Sequence, residues 1–303
     1  MLFLKYKGLI VSTVSLPDQC KDPFSFETIL SLYQTILATK IAKLDMANIT
    51  FIEPYSLLCL LLMGRSYLRL TGERLMLHRV PPHIMQYATR MDFFKYNIFT
   101  VDESLHKDTG LKRSASSSRL LEIIEIPGKE KESVKVIAKV IATFRKRAIV
   151  ILKNWFTLTT IDHLVTVISE ICQNIFEHSL DSGFVVIQSY TYMNERIFRI
   201  AIVDSGVGVP GSFEHSPMVL SLSNAKLLEA VLTTPLSSKR RYGYGLCQVN
   251  AIMEQLKGSI FLRSENAYIS VLHHKRAAKG SYIFLKDDCP TFPGTQFSIT
   301  LVG

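Results

Sequence analysis

Residues 167–183 read VISEICQNIFEHSLDSG. Apolar side chains at Leu164, Val167, Ile168, Ile171 and Ile175 recur at the three-and-four spacing of one helix face. A spacing of four stacks Glu170, Asn174 and His178 along one edge of the same helix, one turn apart. The apolar stripe makes this a core helix that packs on a sheet. The polar edge has two readings: it is a solvated surface edge, or it faces a ligand. In the second reading the Asn174 amide is a neutral, hard ligand for Mg2+, an ion that keeps its other contacts for phosphates and water. The Glu170 carboxylate, one turn away, is placed to take a proton from an attacking nucleophile.

Downstream come two strand-like runs, FVVIQSYTY and RIFRIAIVD, and the second runs into DSGVGVPG. Asp204 ends the apolar strand, and Gly206 and Gly208 follow at alternate positions. A plain strand-to-turn signal reads this way, with glycines supplying positive φ. A ligand site reads this way too: a carboxylate at a strand end binds an exocyclic amine such as that of adenine, and glycines let a flat base approach. A polar segment of lid length, 209–241, precedes KRRYGYGLCQVNAIMEQLKG. There Gly243, Gly245 and Leu246 open a helix whose exposed amide donors suit phosphate, and Lys239, Arg240 and Arg241 add positive charge. The alternative is a glycine-rich loop beside a solvated basic run. SIFLRSE, AYISVLH, SYIFLK and TQFSITLVG then read as strands. Upstream, LLEIIEI reads as a strand, followed by one helix from about Ser133 to Trp155 and another from about Ile161 to Leu180. Helices first and a mostly antiparallel sheet afterwards predict an α/β sandwich with helix ends over a pocket.

The order of these motifs resembles the GHKL ATPase superfamily, whose Bergerat nucleotide-binding fold occurs in gyrase, histidine kinases and MutL. The resemblance covers about residues 120–303. It implies ATP and Mg2+ as cofactors in a sandwich whose sheet is mixed and mostly antiparallel. By this resemblance Glu170 is the general base, Asn174 the Mg2+ ligand, and Asp204 the adenine contact in a loop shaped by Gly206 and Gly208. Gly243 and Gly245, with Leu246, form the phosphate-binding turn, Lys239 and Arg241 approach the phosphates, and Thr295 of the late GTQF lines the adenine side. His178 has a less fixed role beside the nucleotide. Arg241 stands where many members carry the first glycine of their glycine-rich turn, a departure similar to the anti-sigma-factor serine kinases. No phosphoacceptor His-Glu helix precedes the domain, so a sensor histidine kinase is not expected.

The first half alternates strands and helices. LFLKYKG, IAKLDM and RLMLHRV read as strands. Residues 24–40 read as an amphipathic helix, a second helix runs from Pro54 to Gly72, and PPHIMQYATRM starts a third with proline. The run LDMANITFIEPYSLLCLLLMGRSYLRLTGERLMLHRV resembles the STAS domain of anti-sigma-factor antagonists, over about residues 1–100. Regulatory members carry a phosphorylated serine at the helix start. The matching stretch here is Glu53-Pro54-Tyr55-Ser56-Leu57, with Tyr55 at the acceptor position and Ser56 at the glycine position. Switching of this half by the family's route is not expected. The polar, serine-rich run 103–119 reads as a linker between a STAS-like α/β domain over 1–102 and the ATPase domain over 120–303.

Bulk composition narrows the class. The 303 residues are 48% hydrophobic and 20% charged, ordinary for a folded protein. The densest apolar run, LLCLLLMG, is too short to span a bilayer and meets Arg65, and no signal-peptide pattern opens the sequence. Cys20, Cys59, Cys172, Cys247 and Cys289 form no CxxC pair, which fits free thiols in a reducing, cytoplasmic setting. A net charge of +9 raises nucleic acid as a partner, but the basic residues are scattered and no nucleic-acid motif accompanies them. The expected partner is a protein: a STAS-type antagonist, a sigma factor or another regulator, with a homodimer as a further arrangement. The expected activity is a serine/threonine protein kinase of the anti-sigma type, or else an ATP-gated switch or slow ATPase that regulates partner binding.

Overall fold

The computed structural model describes residues 2–6, 9–38, 41–102, 120–126, 128, 134–153, 155–178, 182–216, 221–236, 245–273 and 281–302. The linker stretch 103–119 lies outside them. Two compact units divide the chain, Met1–Ser116 and Ser117–Gly303. Among the described residues no helix is long and apolar enough to cross a membrane.

The first unit runs β1 (Leu2–Tyr6), β2 (Leu9–Ser15), β3 (Gln19–Cys20), α1 (Pro23–Leu30), α2 (Tyr33–Leu37), β4 (Ile41–Asp45), β5 (Phe51–Ile52), α3 (Pro54–Thr71), β6 (Leu75–His78), α4 (Pro82–Arg90) and β7 (Phe99–Val101). Its main sheet has the order β1-β2-β4-β6-β7, with β1 antiparallel to β2 and the other pairs parallel. β2, LIVSTVS, has no counterpart in the sequence reading. The single helix predicted over 24–40 is two: the Ser31 hydroxyl donates to the Thr28 carbonyl at 2.7 Å, competing with the helical ladder where α1 ends. Phe26, Ile29, Leu30, Tyr33 and Ile36 nevertheless stay on one buried face across the break. α3 is buried from Pro54 to Gly64, as a helix apolar on every side must be, and Gly72 ends it at φ 74°. The Tyr67 hydroxyl pins α3 to β4 by accepting the Ala42 N–H at 3.1 Å.

The second unit runs β8 (Leu120–Ile126), α5 (Val134–Leu152), α6 (Leu158–His178), β9 (Gly183–Tyr192), β10 (Glu195–Asp204), α7 (Gly208–Ser212), α8 (Asn224–Thr233), α9 (Gly245–Gln255), β11 (Ser259–Glu265), β12 (Ala267–Leu272), β13 (Tyr282–Lys286) and β14 (Phe292–Val302). The sheet order is β13-β12-β11-β14-β10-β9-β8. Every pair in it is antiparallel, so the mixed sheet expected from the sequence is corrected to an antiparallel one. Hairpins account for β9–β10 and β11–β12, and the long-range strand β14 enters between β10 and β11 in the same antiparallel sense.

α5, α6, α8 and α9 share a core with one face of the sheet, to which Ile200, Ile202, Ile260, Leu262, Phe297 and Ile299 contribute. The stripe read from α6 lies in that core: Leu164, Val167, Ile168, Ile171 and Ile175 are all buried. The segment 209–241, read as a polar lid, is corrected. Its described part holds α7 and α8, and α8 buries Ala225, Leu227, Leu228, Val231 and Leu232. The Ser223 hydroxyl caps α8 through Lys226 N–H, and the Asp287 carboxylate accepts the Ala225 N–H at 2.8 Å.

Candidate functional site

Side chains that face the helices alternate along β10, β14 and β11, and they are apolar until the strands reach one end of the sheet. There the inward positions become Asp204, Thr295 and Ser264 on adjacent strands. Val203 pairs with Gln296, and Ser264 with Thr295. Asp204 is 5% exposed and Ser264 fully buried. A row of three polar groups on an otherwise apolar face is the floor of a site.

Hydrogen bonds fix the loops around this row. Asp204 Oδ1 accepts the Gly206 N–H at 2.8 Å, closing the turn after β10. Ser264 Oγ accepts the Val209 N–H at 2.9 Å and donates to the Gly294 carbonyl at 2.8 Å. The Gln296 amide donates to the carbonyls of Asp204 (3.3 Å) and Pro293 (2.9 Å), while its buried Oε1 has no hydrogen-bond partner among the described residues. Gly294 has φ 85°, and a Cβ there would lie 2.1 Å from the Asp204 carbonyl oxygen. Gly208, at φ 69°, would put a Cβ 2.6 Å from Ser264 Oγ. Both positions accept only glycine.

A β-bulge at Ser264/Glu265 re-aims the chain, and Glu265 takes φ 53°. The fully buried Arg263 holds this bulge by donating to the carbonyls of Glu265 and Pro290. The Glu265 carboxylate accepts the Gly294 N–H at 3.3 Å. Burial pushes its pKa above the ordinary carboxylate range, against the opposing pull of that N–H and of Arg263.

α6 lies over the same end of the sheet. Gly183 pairs with Asp204, and a Cβ at Gly183 would meet Ile175 Cδ1 at 2.8 Å and the Val203 carbonyl at 2.6 Å. Ile175, the residue after Asn174, therefore packs on the end of the β9–β10 pair. One turn earlier, Glu170 reaches the start of α9: its Oε2 lies 2.9 Å, and the Asn174 amide nitrogen 3.9 Å, from where a Cβ of Gly245 would stand. Acid, amide and helix N-terminus thus converge. Leu246 packs partly buried against the core. α9 is further pinned by His273, which is buried and sits 3.0 Å from Asn250 Oδ1 through Nε2 and 2.6 Å from Ser281 Oγ through Nδ1. Burial pushes the His273 pKa below the ordinary imidazole value, Lys257 adds to this, and Glu254 opposes it.

The structure therefore brings together two groups of residues singled out in the sequence: Glu170, Asn174 and Gly245 above, and Asp204, Gly206, Gly208 and Thr295 below. His178 is the last residue of α6, and its side chain is outside the described set, as are Lys239, Arg241 and Gly243. Ser264, Glu265 and Gln296 were missed. Ser264 left a signal, since the inward-facing positions of SIFLRSE turn polar at the end nearest the turn, whereas Gln296 faces the other side of the sheet and Glu265 sits on the bulge.

The residues fit a nucleotide with a divalent ion. Among the described residues no three His, Cys, Asp or Glu side chains form a cation cage. An Mg2+ at Asn174 would take its other ligands from phosphate and water. Residues 159–301 match the family model described as "Histidine kinase-, DNA gyrase B-, and HSP90-like ATPase". The second unit accordingly contains a GHKL-type ATPase domain, which points to ATP binding, typically with Mg2+. No curated protein matches the chain.

Proposed function

We propose that the chain binds Mg·ATP in this site and directs the γ-phosphoryl group to a serine or threonine hydroxyl of a partner protein, as an anti-sigma-type kinase does. The convergence of the Glu170 carboxylate on Gly245, the first residue of α9, carries the reading. A helix N-terminus favours phosphate, and a carboxylate beside it is placed to receive the proton of the attacking hydroxyl. Bound Mg·ATP supplies an electrophilic phosphorus and an ADP leaving group. The chain does the rest by positioning and charge. Asn174 offers its amide oxygen to the ion, and α9 presents backbone N–H groups to the phosphates. Asp204 accepts the exocyclic amine of adenine, with Thr295 beside it. Lys239 and Arg241 add positive charge near the phosphates in this reading.

The first unit serves as a docking unit of STAS type. Its strand order, with one antiparallel strand leading a parallel sheet, supports that reading. Tyr55 and Ser56, at the stretch where STAS regulators carry their phosphoacceptor, are buried to 1% and 0% exposure. Burial of these two hydroxyls supports an acceptor elsewhere, on a partner protein in this reading. That same burial favours one second reading, an ATP-gated interaction module that hydrolyses slowly and phosphorylates nothing. Five free cysteines support a reducing compartment.

Incubation of the full chain with γ-labelled ATP and candidate STAS or sigma-factor partners separates the two. Label on a partner supports the kinase, and free phosphate alone supports the switch. Glu170→Gln should lower either turnover by about 10²–10⁴-fold while leaving ATP binding within a few-fold. Unchanged turnover would remove Glu170 from its role.

A further inference from the structure

We infer that Ser264 is a positioning residue that assembles the base side of the pocket before any nucleotide arrives, an inference that rests on the ATP-binding reading above. For a flat base to lie against the Asp204 side chain, the two loops that border it must be held in fixed register. The first leaves β10 at Asp204 and enters α7 at Gly208; the second turns at Gly294 into β14. Neither is tied to the other by a backbone ladder at this point. Ser264 Oγ joins them, taking the Val209 N–H at 2.9 Å and giving its own proton to the Gly294 carbonyl at 2.8 Å.

The neighbouring polar side chains make other contacts. Asp204 is engaged by its own turn through Gly206, and Gln296 supports the Asp204 and Pro293 carbonyls from the opposite face of the sheet. The space is matched to a hydroxymethyl group, because the Gly208 Cβ position is already 2.6 Å from Ser264 Oγ. Ser264 is fully buried, so water cannot replace the hydroxyl when it is removed, and the Val209 N–H is left without an acceptor. The neighbouring Glu265 reinforces the same turn by accepting the Gly294 N–H at 3.3 Å. The device acts on the base and is remote from the phosphates, which distinguishes it from Asn174.

Ser264→Ala in the full chain tests this by titration with ADP and with Mg·ATP, together with turnover at saturating ATP. The dissociation constants for both nucleotides should rise by the same factor, about tenfold for one orphaned buried donor, with kcat unchanged. Affinities within twofold of wild type, or a fall in kcat at unchanged affinity, would overturn the inference while leaving ATP binding intact. If the wild-type chain binds neither nucleotide, the functional reading itself fails. Hydrogen exchange of the nucleotide-free wild type supplies a second measurement that needs no variant to fold. The Val209 amide should be strongly protected, and exchange at the rate of an open loop would show that the tie is not preformed.

Discussion

Gly294→Ala puts the geometry of the site to a quantitative test. The new Cβ would stand 2.1 Å from the Asp204 carbonyl oxygen, 2.6 Å from its carbonyl carbon and 2.7 Å from Ser205 Cα. All three are backbone atoms, so no side chain can swing aside. The φ of 85° adds the penalty of a left-handed L-residue, about 1–2 kcal/mol. Forcing the two chains apart adds about 1–3 kcal/mol, the usual range for overpacking. The total expected loss is about 2–5 kcal/mol. Gly72→Ala is the internal control, because Gly72 has φ 74° but nothing within 4 Å of its Cβ position. It should lose only the conformational part, about 1–2 kcal/mol. Native-state hydrogen exchange in rising urea reads each unit separately. The site reports as well: displacing Asp204 should weaken ATP binding at least about tenfold, or 1.4 kcal/mol, and Gly72→Ala should not change it. Equal costs for the two variants, with unchanged nucleotide affinity in both, would refute the close approach.

Three further outcomes follow from buried ionisable groups. His273 has a folded pKa below its unfolded value, so its stabilising contribution is complete above the unfolded imidazole range and is lost as pH falls through the folded pKa. Urea titrations should show stability declining on acidification below about pH 6.5, and His273→Gln should flatten that slope. Glu265 has the opposite sign: its raised folded pKa gives stability below the unfolded carboxyl range that is lost as pH rises through the folded value. Glu265→Gln should therefore melt higher than wild type at pH 7, with the difference closing in acid; an equal or lower melting temperature at pH 7 would contradict the cause assigned to the shift. Burial pushes the thiols of Cys20 and Cys172 up to about 12, so a maleimide should label the half-buried Cys247 first and leave those two untouched until the chain unfolds. Prompt labelling of Cys172 in the native protein would mean that its core opens.

Much of the site was legible because its chemistry lies in local patterns. The four-residue spacing on α6 places Glu170 and Asn174 together whatever the tertiary fold, and an apolar strand ending in Asp204 before two glycines announces a turn. The Ser264 tie was harder to see because its partners, Val209 and Gly294, are 55 and 30 residues away in the chain. α8 was lost for a different reason. Lys226 and Glu229 made its segment look polar, although Ala225, Leu228 and Leu232 repeat at helical spacing behind a serine cap. The sense of the sheet depended on which distant strands meet. No periodicity in TQFSITL says that β14 lies between β10 and β11.

That placement of β14 carries a consequence for how the domain comes into being. Without residues 292–302 the sheet is two separate blocks, β8–β9–β10 and β11–β12–β13, each with an open inner edge. Pairings of such long range close slowly, and exposed edges recruit other chains meanwhile. The same strand carries Thr295 and the Gly294 turn to Asp204 and Ser264, so the pocket and the finished sheet arise in one event. A chain still emerging from the ribosome has no base-binding site until this strand is free to insert. In the proposed reading, nucleotide then favours only molecules that have completed the sheet, which makes ATP a selector for finished copies.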